Sequence, residues 1–156
     1  MAIRFEPALP LLTTRTFLTD DNQDIKVGDP VTLVSGYVRK ATASSDNLLG
    51  VAALSVKSGS GEHPPISVWV GDDKNEFFGK CSGTAAITLQ GTTCGIEIDA
   101  NGIPLVDENA NSNKVLLIVG KHPEDNWGGA GTRVRFKINP AHSQYHSQYI
   151  ENDITA

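Results

Sequence analysis

Arg133-Val134-Arg135-Phe136-Lys137-Ile138 alternates a cation with an apolar side chain over six residues. Successive side chains of a strand point to opposite faces, so Val134, Phe136 and Ile138 share one face and the three cations the other. A helix would scatter both sets around its axis. The stretch reads as a half-buried strand, and the same period recurs along the chain. Ile66, Val68 and Val70 alternate with Ser67 and Trp69. Ile96 and Ile98 alternate with Glu97 and Asp99, and Ala85, Ile87 and Leu89 with Ala86, Thr88 and Gln90. Val115 to Val119 is an unbroken apolar run, which predicts a strand buried on both faces.

Between these runs stand turns. Gly28-Asp29-Pro30, Ser44-Ser45-Asp46-Asn47, Asn101-Gly102 and Gly128-Gly129-Ala130-Gly131 separate short apolar segments. Asn-Gly is a hairpin signal because both residues tolerate positive φ. No window of eleven residues carries a capped helical period, and at most one short helix is expected, within Asp72 to Gly79. Strands at roughly 8–12-residue spacing with turns between them make the chain all-β, a small barrel or sandwich.

The chain has 156 residues, 39% hydrophobic and 20% charged, with fifteen glycines and eight prolines. That suits one folded domain with an arm. The divisions expected are an extended N-terminal arm over 1–25, a β domain over 26–140 and a C-terminal tail over 141–156. In the arm, Pro7 and Pro10 hold the backbone extended while Phe5, Leu9, Leu11, Leu12 and Phe17 need burial. They find it on an edge of their own domain or on a neighbouring molecule. A formal net charge of −5 opposes binding to nucleic acid or to anionic lipid. The N-terminus lacks the uninterrupted apolar core of a signal peptide, and no stretch approaches the roughly 20 apolar residues of a membrane span. A soluble protein made in the cytoplasm is expected.

The motifs that carry chemistry fail on chemical grounds. Asp20, Asn22 and Asp24 resemble the start of a calcium loop, but Ile25 stands where the glycine is required and Val31 where the bidentate glutamate is. His142 and His146 have metal spacing only on a helix, which Pro140 opposes, and His63 and His122 stand apart. Gly128 to Gly131 leads into a strand, whereas a phosphate cradle opens a helix. No nucleophile has a recognisable base, so no enzyme, cofactor or metal is expected. Cys81 and Cys94 are two small buried thiols or a single bridge. Candidate contact groups are the cations Arg133, Arg135 and Lys137 and the rings Trp69 and Trp127. His142-Ser143-Gln144-Tyr145 is repeated at once as His146-Ser147-Gln148-Tyr149.

The segment Gly36-Tyr37-Val38-Arg39-Lys40-Ala41-Thr42, then Asp46, then Leu49-Gly50-Val51-Ala52-Ala53, approached through Gly28-Asp29-Pro30-Val31, resembles a pattern in phage head-decoration proteins. These are the lambda-type capsid cement proteins with a β-tulip fold. The likeness covers about residues 26 to 100. It implies a β-tulip-like barrel, a homotrimer at local threefold positions of a capsid, and an arm touching the major capsid protein or a neighbouring subunit. It further implies a virion structural protein that stabilises the expanded shell from outside. On that reading Phe5, Leu9, Leu11, Leu12 and Phe17 supply burial, Arg133 and Arg135 orientation, and Trp69 an anchor. A second reading is a carbohydrate- or receptor-binding accessory domain of a virion, using Trp69, Trp127, Tyr145 and Tyr149.

Overall fold

The computed structural model of the protein describes residues 4–9 and 12–145. Among these residues the regular structure is almost wholly β, with thirteen strands: β1 (Glu6–Pro7), β2 (Thr14–Leu18), β3 (Asp24–Ile25), β4 (Pro30–Val34), β5 (Tyr37–Lys40), β6 (Gly50–Ala52) and β7 (Val56–Lys57). These are followed by β8 (Pro65–Val70), β9 (Phe77–Lys80), β10 (Thr93–Ile98), β11 (Pro104–Asp107), β12 (Leu116–Lys121) and β13 (Arg133–Ile138). Three antiparallel sheets result, ordered β2-β8-β6-β4-β5, β1-β9-β13-β12-β10-β11 and β3-β7.

The two large sheets are the same device built twice. Taken in chain order, the five strands of each half lie in the order first, fifth, fourth, second, third: β2-β8-β6-β4-β5, then β9-β13-β12-β10-β11. Register agrees residue by residue. Leu18 faces Pro65 as Lys80 faces Arg133, and Ala52 faces Val68 as Ile118 faces Phe136. In each half one parallel bridge joins the end of the first strand to the third, Thr19 to Val38 and Cys81 to Val106. The next residue then donates to the same carbonyl, Asp20 N to Val38 O at 2.9 Å and Ser82 N to Val106 O at 2.9 Å. Gly28 N donates to Ala52 O, and Ala52 N to Asp29 O; Gly91 N donates to Ile118 O, and Ile118 N to Thr92 O. Gly28 and Gly91 hold φ of 93° and 85°, a region L side chains rarely adopt, so this crossing needs glycine in both halves. Each sheet curls without closing, so the expected barrel is two half-closed modules.

Two cores follow. Ile25, Val31, Val38, Leu49, Ala52, Ile66, Val68 and Val70 fill the first module. The second module's interior continues onto the outer face of the first, where Ala41, Leu48, Val51 and half-buried Trp69 meet the Phe77 and Phe136 cluster. Phe5 is 3% exposed within that cluster, its ring 4.9 Å from that of Phe136 in an edge-on arrangement. A Cβ on Gly79 would lie 2.8 Å from the Phe5 ring, so this glycine makes the seat.

Of the two places expected for the N-terminal segment, its described residues take an edge of their own domain. β1 pairs with β9, and β2 pairs with β8 over five residues. Burial decides this, since Phe5 reaches a core that is already apolar. The tail also joins the body as far as Tyr145. Ser143 bridges Leu48, its hydroxyl donates to Gly71 O at 2.6 Å, and the Gln144 amide bonds both Leu33 N and Leu33 O. The second tetrapeptide lies outside the described residues.

Three local expectations change. Asp72 to Gly79 holds no helix: the Asp72 carboxylate accepts from Lys74 N and Asn75 N, which makes a turn, and β9 follows. Ile87–Leu89 is a 3-10 turn with Ile87 62% exposed, so alternation there did not mark a strand. In β12, Leu116 and Ile118 are buried while Leu117 and Val119 are only half-buried.

Asp29 is fully buried. Its carboxylate accepts from Arg4 Nη1 at 2.5 Å and Lys26 N at 2.9 Å, with Lys40 Nζ 3.6 Å away. Arg4 and Lys40 both donate onward to Gly102 O in the second module's hairpin, each at 2.9 Å. Hydrogen bonds to charged groups are worth about 1.5–3 kcal/mol. Asp29→Ala is expected to lower the urea-unfolding free energy by roughly 2–3 kcal/mol, and an unchanged midpoint would refute this account of the node.

Candidate interaction surface

Exposure of large apolar side chains is concentrated in the first module. Among the described residues, Leu18 (49%), Leu54 (47%), Val27 (45%) and Val34 lie there, and Ile87 alone in the second. Four of five therefore lie on one module, where exposed apolar side chains that cluster are candidates for contact.

The local structure explains two groupings. The β3–β7 ribbon carries Val27 and Leu54 at its end, where Val27 N donates to Ser55 Oγ at 2.9 Å. At the β4–β5 hairpin Val34 pairs with Tyr37, and the Tyr37 ring stacks on His63 at 4.1 Å. His63 Nδ1 lies 3.0 Å from Thr19 O, and Leu18 precedes Thr19 opposite exposed Pro65. Leu18, Val34, Tyr37 and His63 thus ring one corner. Val34 and Leu54 end apolar runs just before Ser35-Gly36 and Ser55. That position was the only sequence signal available, because exposure depends on which partner strand stops first.

The contact residues expected from sequence are dispersed. Phe5 is committed to the core and offers no ring to a neighbour. Leu12 is half-buried against the second cluster and Phe17 against the first. Leu9 is half-buried, and Leu11 lies outside the described residues. Trp69 and Trp127 both rest against the second cluster, and Tyr145 rests against the first, accepting from Arg15 Nε at 2.8 Å. Of the four rings considered for a shallow glycan platform, these three are each half-buried against a core, and Tyr149 is outside the described residues.

The cationic stripe is largely neutralised within the chain. Arg133 Nη2 donates to Asp125 Oδ1 at 2.8 Å and its Nε to Oδ2 at 3.1 Å, while the Arg133 backbone N–H reaches Oδ2 at 2.7 Å. Arg135 pairs with Glu76. Bidentate pairing of this kind is strong for its exposure. The Arg133 guanidinium holds the Asp125 carboxyl down to about 2, from an ordinary 3.8, against the opposing effect of burial. A lowered folded-state value stabilises the fold above the unfolded value and is lost as pH falls through the folded one. Stability is expected to drop as pH falls from about 4 to about 2, with a shallower drop in Asp125→Asn. Urea midpoints measured across that range check it; identical slopes for both proteins would remove the effect.

Two open clefts, of about 320 and 390 Å³, flank the 124–132 loop. The first is lined by Cys81, Lys80, Ser82 and Asp99. Cys81 and Cys94 are free and buried, and burial pushes their thiols up to about 12 and about 11. A thiol so protonated at neutral pH is a poor nucleophile. Asp20, the first residue of the calcium-like run, gives its carboxylate to Arg39 and to Asp21 N. Among the described residues no three His, Cys, Asp or Glu side chains gather to hold a metal ion, and no helix is long and apolar enough to cross a membrane. Native protein at pH 8 is expected to react with a disulfide reagent at least tenfold more slowly than unfolded protein, as read by thiolate absorbance. Equal rates would place the thiols at the surface.

No family model matches the chain, and no curated protein matches it significantly.

Proposed function

We propose that the protein is a virion structural protein that binds the outside of a phage capsid as a homotrimer and stabilises the expanded shell. The observation that supports this reading is that four of the five exposed large apolar side chains among the described residues, Leu18, Val27, Val34 and Leu54, lie on the first module. The stretch of about residues 26 to 100 that bears the resemblance to head-decoration proteins takes in β4 to β8, and β9 and β10 of the second module.

The mechanism is additive adhesion. A standard interface buries about 1,600 Å² in total, and its apolar centre supplies the favourable term. Three linked copies raise the effective concentration of each contact, so the trimer stays bound after one contact opens. A molecule that binds the expanded shell and not its precursor stabilises the expanded state by mass action. The partner is then the major capsid protein, and Lys137 is the cation of the stripe with no carboxylate partner among the described residues.

The purified protein is expected to sediment with expanded capsids stripped of their decoration layer and to raise their disruption temperature. Leu18→Glu with Leu54→Glu is expected to weaken that association at least tenfold while circular dichroism stays unchanged. Wild-type protein left in the supernatant would sink the reading.

A further inference from the structure

Because the two modules share a register, places in one have counterparts in the other, and at one such place the contents differ. Thr19 N donates to Pro64 O in the first module at 2.8 Å, as Cys81 N donates to Thr132 O in the second at 3.0 Å. The residues just before these acceptors, His63 and Gly131, therefore correspond. Tyr37 and Leu105 correspond likewise, since each precedes the valine that bridges Thr19 or Cys81. In the first module the His63 imidazole lies flat on the Tyr37 ring, with centroids 4.1 Å apart and planes 16° from parallel. Its Nδ1 stands 3.0 Å from Thr19 O. A carbonyl oxygen only accepts, so this nitrogen carries the proton and donates.

In the second module no side chain corresponds to that imidazole, because Gly131 has none. An open cleft of about 320 Å³ stands there, lined by Lys80, Cys81, Ser82, Asp99, Leu105 and Gly131. That volume lies at the small end of ligand sites, which run to roughly 300–1,000 Å³. Cys81 O, the counterpart of the carbonyl that His63 reaches, accepts no hydrogen bond among the described residues. The Lys80 stem lies against Gly131, its Cε 2.6 Å from where a Cβ would stand, and its ammonium makes no ion pair among the described residues. Asp99 gives Oδ1 to Asn101 N and Ile103 N, while its Oδ2 has no partner among the described residues. The place thus keeps an apolar side chain and a carbonyl acceptor, and lacks the ring that the first module supplies from its own chain.

We propose that this cleft binds a flat heterocycle of the imidazole class that bears an N–H donor. The ring lies on Leu105 and donates to Cys81 O, as His63 lies on Tyr37 and donates to Thr19 O. Lys80 and Asp99 then select among ring substituents by charge. The site makes no use of capsid attachment, so the two readings stand or fall separately.

Titration of the full chain with imidazole at pH 8, where the ring is largely neutral, tests this through amide chemical shifts. Saturable shifts are expected at Ser82, Leu105 and Gly131, and none at Thr19, Tyr37 and His63, where a ring is already in place. N-methylimidazole has the same flat ring without the N–H, and is expected to bind roughly tenfold more weakly, the worth of one hydrogen bond. Leu105→Tyr supplies the stacking face of the first module and is expected to tighten imidazole binding roughly threefold, as an added ring–ring contact does. The two titrations of the native chain decide the matter if this variant does not fold. Shifts that rise without saturating, saturable shifts centred elsewhere, equal affinity for the two rings, or an affinity that Leu105→Tyr does not raise would each overturn the proposal.

Discussion

A carboxylate held away from water needs cations or donors around it, and Asp29 is held so. Three parts of the chain meet to satisfy it: Arg4 from the N-terminal segment, Lys26 N and Lys40 from the turn and hairpin of the first module, and Gly102 O, which takes the remaining donors of Arg4 and Lys40. The node sets the path of the first strand. With Arg4 fixed, Phe5 follows into the space beside Gly79, and Phe5 N donates to Gly28 O at 3.1 Å. Gly28 in turn begins the crossing that both modules share. A Cβ there would stand 2.5 Å from Phe5 O, so the glycine serves backbone conformation and close approach together. The N-terminus, the first module and the second are coupled through one buried charge.

That coupling redistributes the groups available to a partner. An arm free to lie on a neighbour would have carried Phe5 and Leu12 outward, but the domain's own cores take both. Arginines that would have oriented a complex are paired with Asp125 and Glu76. Among the described residues of the first module, the corner around Tyr37 and His63, the end of the β3–β7 ribbon and the outer edge of β2 are left to the outside. The second module is wrapped by β1 and by the outer face of the first, so the two copies of the device differ in how much of each is enclosed.

The duplication itself rests on backbone geometry. Equivalent strands such as Pro65–Val70 and Arg133–Ile138 share alternation and almost no residue identities. The hydrogen bonds around Gly28 and Gly91, and the parallel bridges at Thr19 and Cys81, are what repeat. Thr19 and Cys81 are both fully enclosed small side chains, so the bridge asks for size and not for a particular chemistry.

Period-two alternation at Ile66–Val70 and Val134–Ile138, turn residues at Gly28-Asp29-Pro30 and Asn101-Gly102, and the lack of any capped helical period were enough to determine an all-β chain. These are local properties, set by how one residue places the next. The candidate surface was hardly legible, and the failures share a cause. Leu18 and Phe5 look alike in sequence, yet one is exposed and the other buried, because the difference lies in a strand over sixty residues away. Ile87 kept strand-like spacing but had no neighbouring strand to pair with. Arg133 read as a free cation until the loop before it brought Asp125 within reach. Burial, pairing and edge exposure are decided by partners distant in the chain, and only the tertiary structure brings those partners together.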